Sequence, residues 1–517
     1  MARRLPHHHI KNVLETQFPS INPEHPAYRW WILANVMIGT FMAVLDAMIV
    51  TVALPNIMAQ FGATLDKIEW IMTAYLLIFG IMLPASGWLA DNFGYKKLYF
   101  LGMFFFTFGS FLCGISWNEN ALIFFRVIQG IGGGLIMPVG MAIIMREFPV
   151  EKRGIALGLW GVAAAASISF GPLFGGYLID KITWQAIFFI NVPIGILGML
   201  ATLVIQREYS SEHKRRPFDS IGFLSMVAFL TFMLVALAEG NAVWNTGGWH
   251  SRFILSCFAA SLFFFVIFLI NELYVRKEHP FVELRLLKDF NFAMSNFVLF
   301  IFGLGMFGST FILPLYLENG LNYTPLQAGT VFLWPGIVQG IMSVISGILS
   351  DKWNPKIPSF LGIALLGYSL YLNHFLYMYS EYNQILIPLY IRGIGMGLLF
   401  TPLAKIALLN IKKEQMAQAS GLFNVIRQIG GSFGVAIFAT ILTSRQVFHT
   451  DIFGQSVINS PTFTNTTMAV QRFVQQHAGG PTHNSVNQTF ALLGMYISNT
   501  AFVSAMEDTL HGYSFHE

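Results

Sequence analysis

Charge is scarce in this sequence, and so is sulfur. Only 11% of its 517 residues are Asp, Glu, Lys or Arg, while 55% are hydrophobic. So thin a charged cover does not suit a soluble surface. The two cysteines, Cys113 and Cys257, both fall inside apolar runs. That excludes a disulfide framework and a cysteine-based zinc site. No P-loop spacing occurs, so ATP is not expected to drive this protein directly. No nucleophile–base pair or metal-ligand cluster presents itself. No catalytic residue, cofactor or metal is therefore expected, and an enzyme reading has no support. The formal net charge of +4 belongs to loops and says nothing for nucleic acid. The segment Met1–Tyr28 lacks the apolar core and small residues of a cleavable signal, and its His7–His9 run reads as solvated tail.

What the chain does have is long apolar runs, rich in Phe. A spanning helix needs about 20 apolar residues. Thirteen such runs are clear, near 31–54, 69–90, 98–116, 121–145, 154–179, 185–205, 219–238, 253–275, 292–316, 325–350, 359–378, 384–410 and 417–442. The expected class is all-α, a polytopic membrane protein in contact with lipid. Lys and Arg set its orientation. With the N-terminus cytoplasmic, 22 of them fall in inside loops and only 5 outside.

The loops also reveal an internal repeat. Gly87-Trp-Leu-Ala-Asp91 ends the second run, and Gly347-Ile-Leu-Ser-Asp351 ends the tenth. Gly130-x-Gly-x-Gly134-Leu returns as Gly393-x-Gly-x-Gly397-Leu, and Gly171-x-x-x-Gly175 returns as Gly430-x-x-x-Gly434. Parallel repeats mark transporters built from two similar halves. Here the period covers eight spans, so runs seven and eight read as an inserted hairpin between two six-helix bundles. The expected parts are a cytoplasmic tail (1–30), an N-terminal bundle (31–206), the hairpin with its loops (207–290), a C-terminal bundle with five clear spans (291–443) and an extracytoplasmic polar segment (444–517). The arithmetic asks for a fourteenth span, which looks missing or degraded. Phe490–Met506 is the only late apolar stretch, and it reads as an amphipathic helix outside the membrane, with a weak fourteenth span as the alternative.

Asp46 is the most informative single residue. It sits alone in an apolar run, where a carboxylate is by default a functional site. Counting residues at 1.5 Å each puts Asp46 about 24 Å up the first helix and Arg126 about 8 Å below the opposite surface. Both depths lie in the outer half of a core of about 30 Å, so a salt bridge is available to them. Near Asp91 the sequence continues Asn-Phe-Gly94-Tyr-Lys96-Lys97, glycines for a tight turn and lysines for headgroups or carboxylates. Other in-span polar residues are Gln129, Arg392, Arg427 and Gln428. The glycine run at Gly130–Gly134 follows no strand, so a nucleotide loop is rejected.

Several of these motifs resemble the major facilitator superfamily. Gly87–Lys97 resembles its cytoplasmic gate signature, with Gly347 and Asp351 as the second copy. Arg126-Val-Ile-Gln129-Gly130 resembles the signature whose arginine belongs to proton coupling, and Gly171-Pro172-Leu-Phe-Gly175-Gly176 resembles the antiporter motif. Leu45-Asp46-Ala-Met-Ile-Val-Thr-Val-Ala-Leu-Pro55, Phe188–Gly195 and Arg427-Gln428-Ile-Gly-Gly-Ser432 are similar to the fourteen-span drug:proton antiporters of the EmrB and QacA type, and most to the EmrB type. Met48 and Thr51 stand where that family has threonine and asparagine. The resemblance implies a major facilitator fold, protons coupled through Asp46 and Arg126, and multidrug efflux, with antibiotic resistance as its consequence. It also implies a bacterial inner-membrane location, with a periplasmic adaptor and an outer-membrane channel as partners. The tenth run (325–350) carries no carboxylate, which favours neutral or weakly acidic hydrophobic substrates over dications. The alternatives are a dedicated exporter of one metabolite, siderophore or lipid, and a non-transporting scaffold or receptor on the same fold.

Overall fold

The computed structural model describes residues 22, 24–208, 217–242, 244–275, 280–321, 323–373, 375–376, 380–458, 494, 497–498, 500–506 and 508–509. His7–His9 and the segment 459–488 lie outside them. No strand occurs among the described residues. Thirteen long helices follow in order: α1 (Tyr28–Phe61), α2 (Leu65–Phe93), α3 (Tyr95–Gly114), α4 (Glu119–Glu147), α5 (Arg153–Lys181), α6 (Asn191–Ile205), α7 (Ser220–Glu239), α8 (Arg252–Ile270), α9 (Phe290–Leu315), α10 (Pro325–Lys352), α11 (Lys356–Asn373), α12 (Tyr382–Leu408) and α13 (Met416–Ile458). A single turn, Ala186–Phe189, precedes α6. Twelve helices among the described residues are long and apolar enough to cross a membrane. The exception is α11, 18 residues long, which packs along α12. Helices dominate for a physical reason: without water, backbone N–H and C=O groups must be satisfied inside each segment.

Helices α1–α6 pack among themselves, as do α9–α13, and the two groups meet chiefly through α5 on α10 and α2 on α13. The α5–α10 seam is unusually close. A Cβ at Gly154 would sit 2.3 Å from the Gly347 carbonyl oxygen, and one at Gly347 equally near that of Gly154. Only glycine permits that approach, because any side chain would push the backbones apart. One turn further, Gly158 and Gly161 meet Ser343, and Gly336 meets Ser169. The seam thus follows most of both helices.

The hairpin α7–α8 leans on α2 and α13. At one end Asn241 Nδ2 and Trp249 Nε1 donate to Thr440 Oγ1 of α13, each at 2.8 Å. At the end where Lys and Arg gather, called here the basic end, the amide of Glu283 donates to Gln418 Oε1 at 3.0 Å.

Two features differ from the expectation for the C-terminal part. The thirteenth run does not stop near 442: α13 continues to Ile458 as one helix of 43 residues. At 1.5 Å per residue it is about 64 Å long, far beyond a hydrocarbon core of about 30 Å. The described end of the late apolar stretch, 500–506, makes a contact that the sequence did not indicate. Phe502, Val503, Ala505 and Met506 are buried against Ile312, Leu313, Tyr316 and Leu317 near the far end of α9. Asp508 holds His449 at 2.8 Å and Arg445 at 3.7 Å. Local polarity at Ser498–Thr500 hid this contact, because the apolar face is completed only by another helix.

The seam makes a direct prediction. Ser343 Cβ lies 3.3 Å from the Cβ position at Gly161, within reach of a disulfide. In a chain freed of Cys113 and Cys257, Gly161→Cys with Ser343→Cys should cross-link under mild oxidation. Unmodified thiols after such treatment would contradict the closed seam.

Candidate functional site

Asp46 lies 18 residues into α1 and is fully buried. Arg126 of α4 donates from Nη1 to its Oδ2. Gln129, one turn along α4, donates from Nε2 to Oδ1 at 2.7 Å, and Asn191 Nδ2, at the first residue of α6, reaches the same oxygen at 3.0 Å. Both carboxylate oxygens are therefore satisfied, as burial in a low-dielectric site requires. Arg126 is equally well held. Its Nε donates to the Ile71 carbonyl at 3.2 Å, its Nη1 also reaches Gln129 Oε1 at 2.7 Å, and its guanidinium lies 4.1 Å from the centre of the Tyr75 ring. Asn191 in turn bonds Ser110 Oγ at 3.1 Å, and Cys113 Sγ donates to Gln129 at 3.7 Å.

Asp46, Arg126 and Gln129 were legible in the sequence. Asn191 and Ser110 were not assigned to the site, although Asn191 stood in the Phe188–Gly195 motif. Their signal was available: an amide or hydroxyl interrupting an otherwise apolar run. Chemically, the cluster can exchange one proton for one ion pair. A protonated Asp46 no longer needs Arg126.

The antiporter-type motif touches the same place. Gly171 and Gly175 of α5 pack on Met48 and Ile49 of α1, directly beyond Asp46, with Cβ positions 2.6 and 2.9 Å from their side chains. Gly176 points to Leu326 of α10. Pro172 lies in α5 beside them. Helix α5 is thus clamped between the helix carrying Asp46 and the opposite half.

The two glycine–aspartate repeats converge on helix starts at the basic end. Asp91 accepts from Gln418 Nε2 at 3.0 Å, and Gly87 abuts the Gln418 backbone. Asp351 accepts the amides of Gly154 and Ile155, each at 2.9 Å, at the N-terminus of α5, and also binds Lys405 Nζ. A carboxylate there meets the positive end of the helix dipole. Gly94 adopts φ +90°, which turns the chain between α2 and α3. Lys96 ties the start of α3 to the end of α6, Nζ to the Leu203 carbonyl at 2.7 Å, and Lys97 is exposed. Above these latches Phe400 of α12 contacts Trp160 of α5, Phe302 of α9 and Phe423 of α13, with ring centres 6.0–6.4 Å apart. These rings join helices of the two halves near the basic end.

Arg392, Arg427 and Gln428 do not join the Asp46 cluster. Both arginines are buried in the C-terminal half, on α12 and α13, and Gln428 is half-buried beside Arg427.

The profile of a family described as Major Facilitator Superfamily matches residues 36–435. The chain belongs to that superfamily. Multidrug export protein EmrB of Escherichia coli K12 is 31% identical over 419 residues, covering 80% of each chain. A multidrug resistance protein B homolog of Mycobacterium tuberculosis is 32% identical over 419 residues, 80% of this chain and 76% of that one. Riboflavin transporter RibZ of Clostridioides difficile is 31% identical over 426 residues, 81% and 90%. The solved human organic anion transporter MFSD10 superposes with a TM-score of 0.58 at 13% identity, covering 91% of this chain and 99% of that one, a likeness of fold alone. This protein is a multi-pass membrane transporter of that superfamily and does not fall in an enzyme family.

The buried pair predicts an asymmetric response to mutation. Arg126→Ala leaves Asp46 buried and uncompensated, which should cost about 3–5 kcal/mol of stability. Neutralising both partners together, as Asp46→Asn with Arg126→Gln, should recover most of that loss. Melting of the purified variants in detergent reads the difference, and equal loss in single and double variants would refute it.

Proposed function

We propose that this protein exports hydrophobic small molecules from the cytoplasm in exchange for protons. It would do so in a bacterial inner membrane, with its N-terminus and basic end cytoplasmic. The observation that carries this reading is the Asp46–Arg126 pair, fully buried and closed by Gln129 and Asn191. A proton on Asp46 removes the charge that holds Arg126. The guanidinium then keeps only Gln129, the Ile71 carbonyl and the Tyr75 face. Because α5 grips α1 beside Asp46 and α10 on its other side, a shift at the pair is passed to the seam between halves. The latches at Asp91 and Asp351 hold the cytoplasmic side shut, each worth about 0.3–1 kcal/mol as a helix-end interaction. Contributions of that size suffice to bias two states of similar free energy.

The relatives named for multidrug export support breadth of substrate. The relative named as a riboflavin transporter supports the second reading, a dedicated exporter of one metabolite. A tolerance panel of chemically varied compounds, with and without the gene, separates the two. In vesicles with an imposed pH gradient, Asp46→Asn should abolish gradient-driven efflux while substrate binding to the purified protein persists. Normal-rate pumping by that variant would place proton coupling elsewhere.

We extend the reading to a periplasmic adaptor and an outer-membrane channel. Helix α13 runs well past the membrane and leads into the segment 459–488, which would form the adaptor's docking site. Deleting Asn459–Gln488 should abolish adaptor co-purification without loss of membrane insertion; unchanged co-purification would eliminate the site.

A further inference from the structure

The inserted hairpin carries two acids that the Asp46 cluster does not use. Asp219 caps the start of α7, its Oδ1 accepting the Gly222 amide at 2.9 Å. Glu272 lies in the wide turn Asn271–Val275 that continues α8. Both residues are only 2% exposed. A Cβ at Gly222 would sit 2.5 Å from Glu272 Oε1 and 2.6 Å from Asp219 Oδ2, so the separation of these two oxygens cannot exceed the sum of those distances. Asn271 Nδ2 donates to that same Asp219 oxygen, while Glu272 Oε1 is buried without a partner. Among the described residues, the charges that act most strongly on Glu272 are those of Asp219 on α7 and Glu283, both acids. Two carboxylates held this close and out of water do not both stay ionised. A proton on Glu272 Oε1 removes the conflict and supplies a donor that Asp219 Oδ2 can accept.

Three consecutive residues tie this pair to the basic end of both halves. Phe281 stacks on Trp88 of α2, with ring centres 5.8 Å apart, and Phe223 of α7 packs on the same ring at 5.3 Å. The Val282 amide donates to Glu272 Oε2 at 3.4 Å, a long bond that a change of charge can break. The Glu283 amide donates to Gln418 Oε1, and Gln418 Nε2 holds Asp91. Trp88 itself lies between Gly87 and Asp91, in the repeat that abuts Gln418. The strap 281–283 therefore joins Glu272 to the Asp91–Gln418 contact between the halves.

We propose that Glu272 and Asp219 share one proton and make the inserted hairpin a sensor of cytoplasmic pH, which steadies the latch at Asp91 while the proton is bound. This goes beyond the export reading and takes from it only that latch and the cytoplasmic placing of the basic end. Glu272 lies three residues from the end of its turn, so the proton leaves to cytoplasmic water. Its loss sets two carboxylates against each other. Glu272 then swings away from Asp219 and gives up the Val282 amide, and the strap no longer steadies Gln418. The latch loosens as cytoplasmic pH rises.

The test reads the proton and the latch separately, on the full chain in phosphatidylcholine nanodiscs without substrate. Infrared difference spectra between low and high pH should show a protonated-carboxyl C=O band that Glu272→Gln lacks. In a chain freed of Cys113 and Cys257, maleimide labelling of Ser86→Cys, buried on α2 against Gly421 of α13, reads the latch. Rates are taken relative to the same chain carrying Glu272→Gln, which cancels the pH dependence of the thiol itself. That ratio should be near unity at low pH and rise at least about threefold at high pH, the worth of one hydrogen bond. An equal band in Glu272→Gln, no such band in the unmodified chain, or a ratio indifferent to pH would overturn the sensor. If Glu272→Gln fails to fold, Asp219→Asn, which keeps the helix cap, serves as the labelling reference with the same two outcomes. Neither reading needs a gradient, so their failure leaves the export reading standing. Lost efflux with both readings intact would count against the export reading alone.

Discussion

A carboxylate carried to the middle of an apolar helix bundle must bring its partners with it. Asp46 draws donors from two other helices, and those donors recruit Ser110, Cys113, Tyr75 and the Ile71 carbonyl from two more. The N-terminal half is thus organised around one charge. Arg126 Nη1 and Asn191 Nδ2 each reach a second acceptor, Gln129 Oε1 and Ser110 Oγ, so the cluster is one connected network around the carboxylate.

Helix α5 links the surroundings of Asp46 to the opposite half. It carries glycines on the face toward α1 and again on the face toward α10. Close packing on both sides leaves no compliant layer between the Asp46 cluster and the opposite half. Interiors packed this tightly shift between discrete arrangements instead of deforming gradually. Asp351 engages the first turn of the same helix. The second latch works through α13, where Gln418 binds Asp91 with its amide nitrogen and the hairpin's Glu283 amide with its oxygen. The inserted hairpin is therefore bonded to a gate residue, not merely appended to the bundle.

The two halves share a repeat but not a charge plan. Matching glycines preserve the backbone packing of α4 in α12 and of α5 in α13. The polar residues beside those glycines differ: Gln129 precedes Gly130, and Arg392 precedes Gly393. A balanced acid–base cluster in one half and two guanidiniums that meet no acid among the described residues in the other give the halves different chemistry on one scaffold.

Much of this was legible in the sequence, because the bilayer imposes rules that act on local composition. Apolar length located the helices, and basic loops ordered their ends. The glycine–aspartate spacing marked two interhelical contacts, at Asp91 and Asp351, and a lone acid marked the buried ion-pair cluster. For Asp46 and Arg126, counting rise per residue placed the two at compatible depths and left the pairing available. Tertiary structure alone decided that Asn191 and Ser110 close the site, because a single amide in an apolar run does not announce which helix it faces. It also decided that residues 502–506 pack near the far end of α9, and that Arg392 and Arg427 meet no acid among the described residues. An ion pair between distant segments depends on which faces meet, and the chain specifies that only through the packed whole.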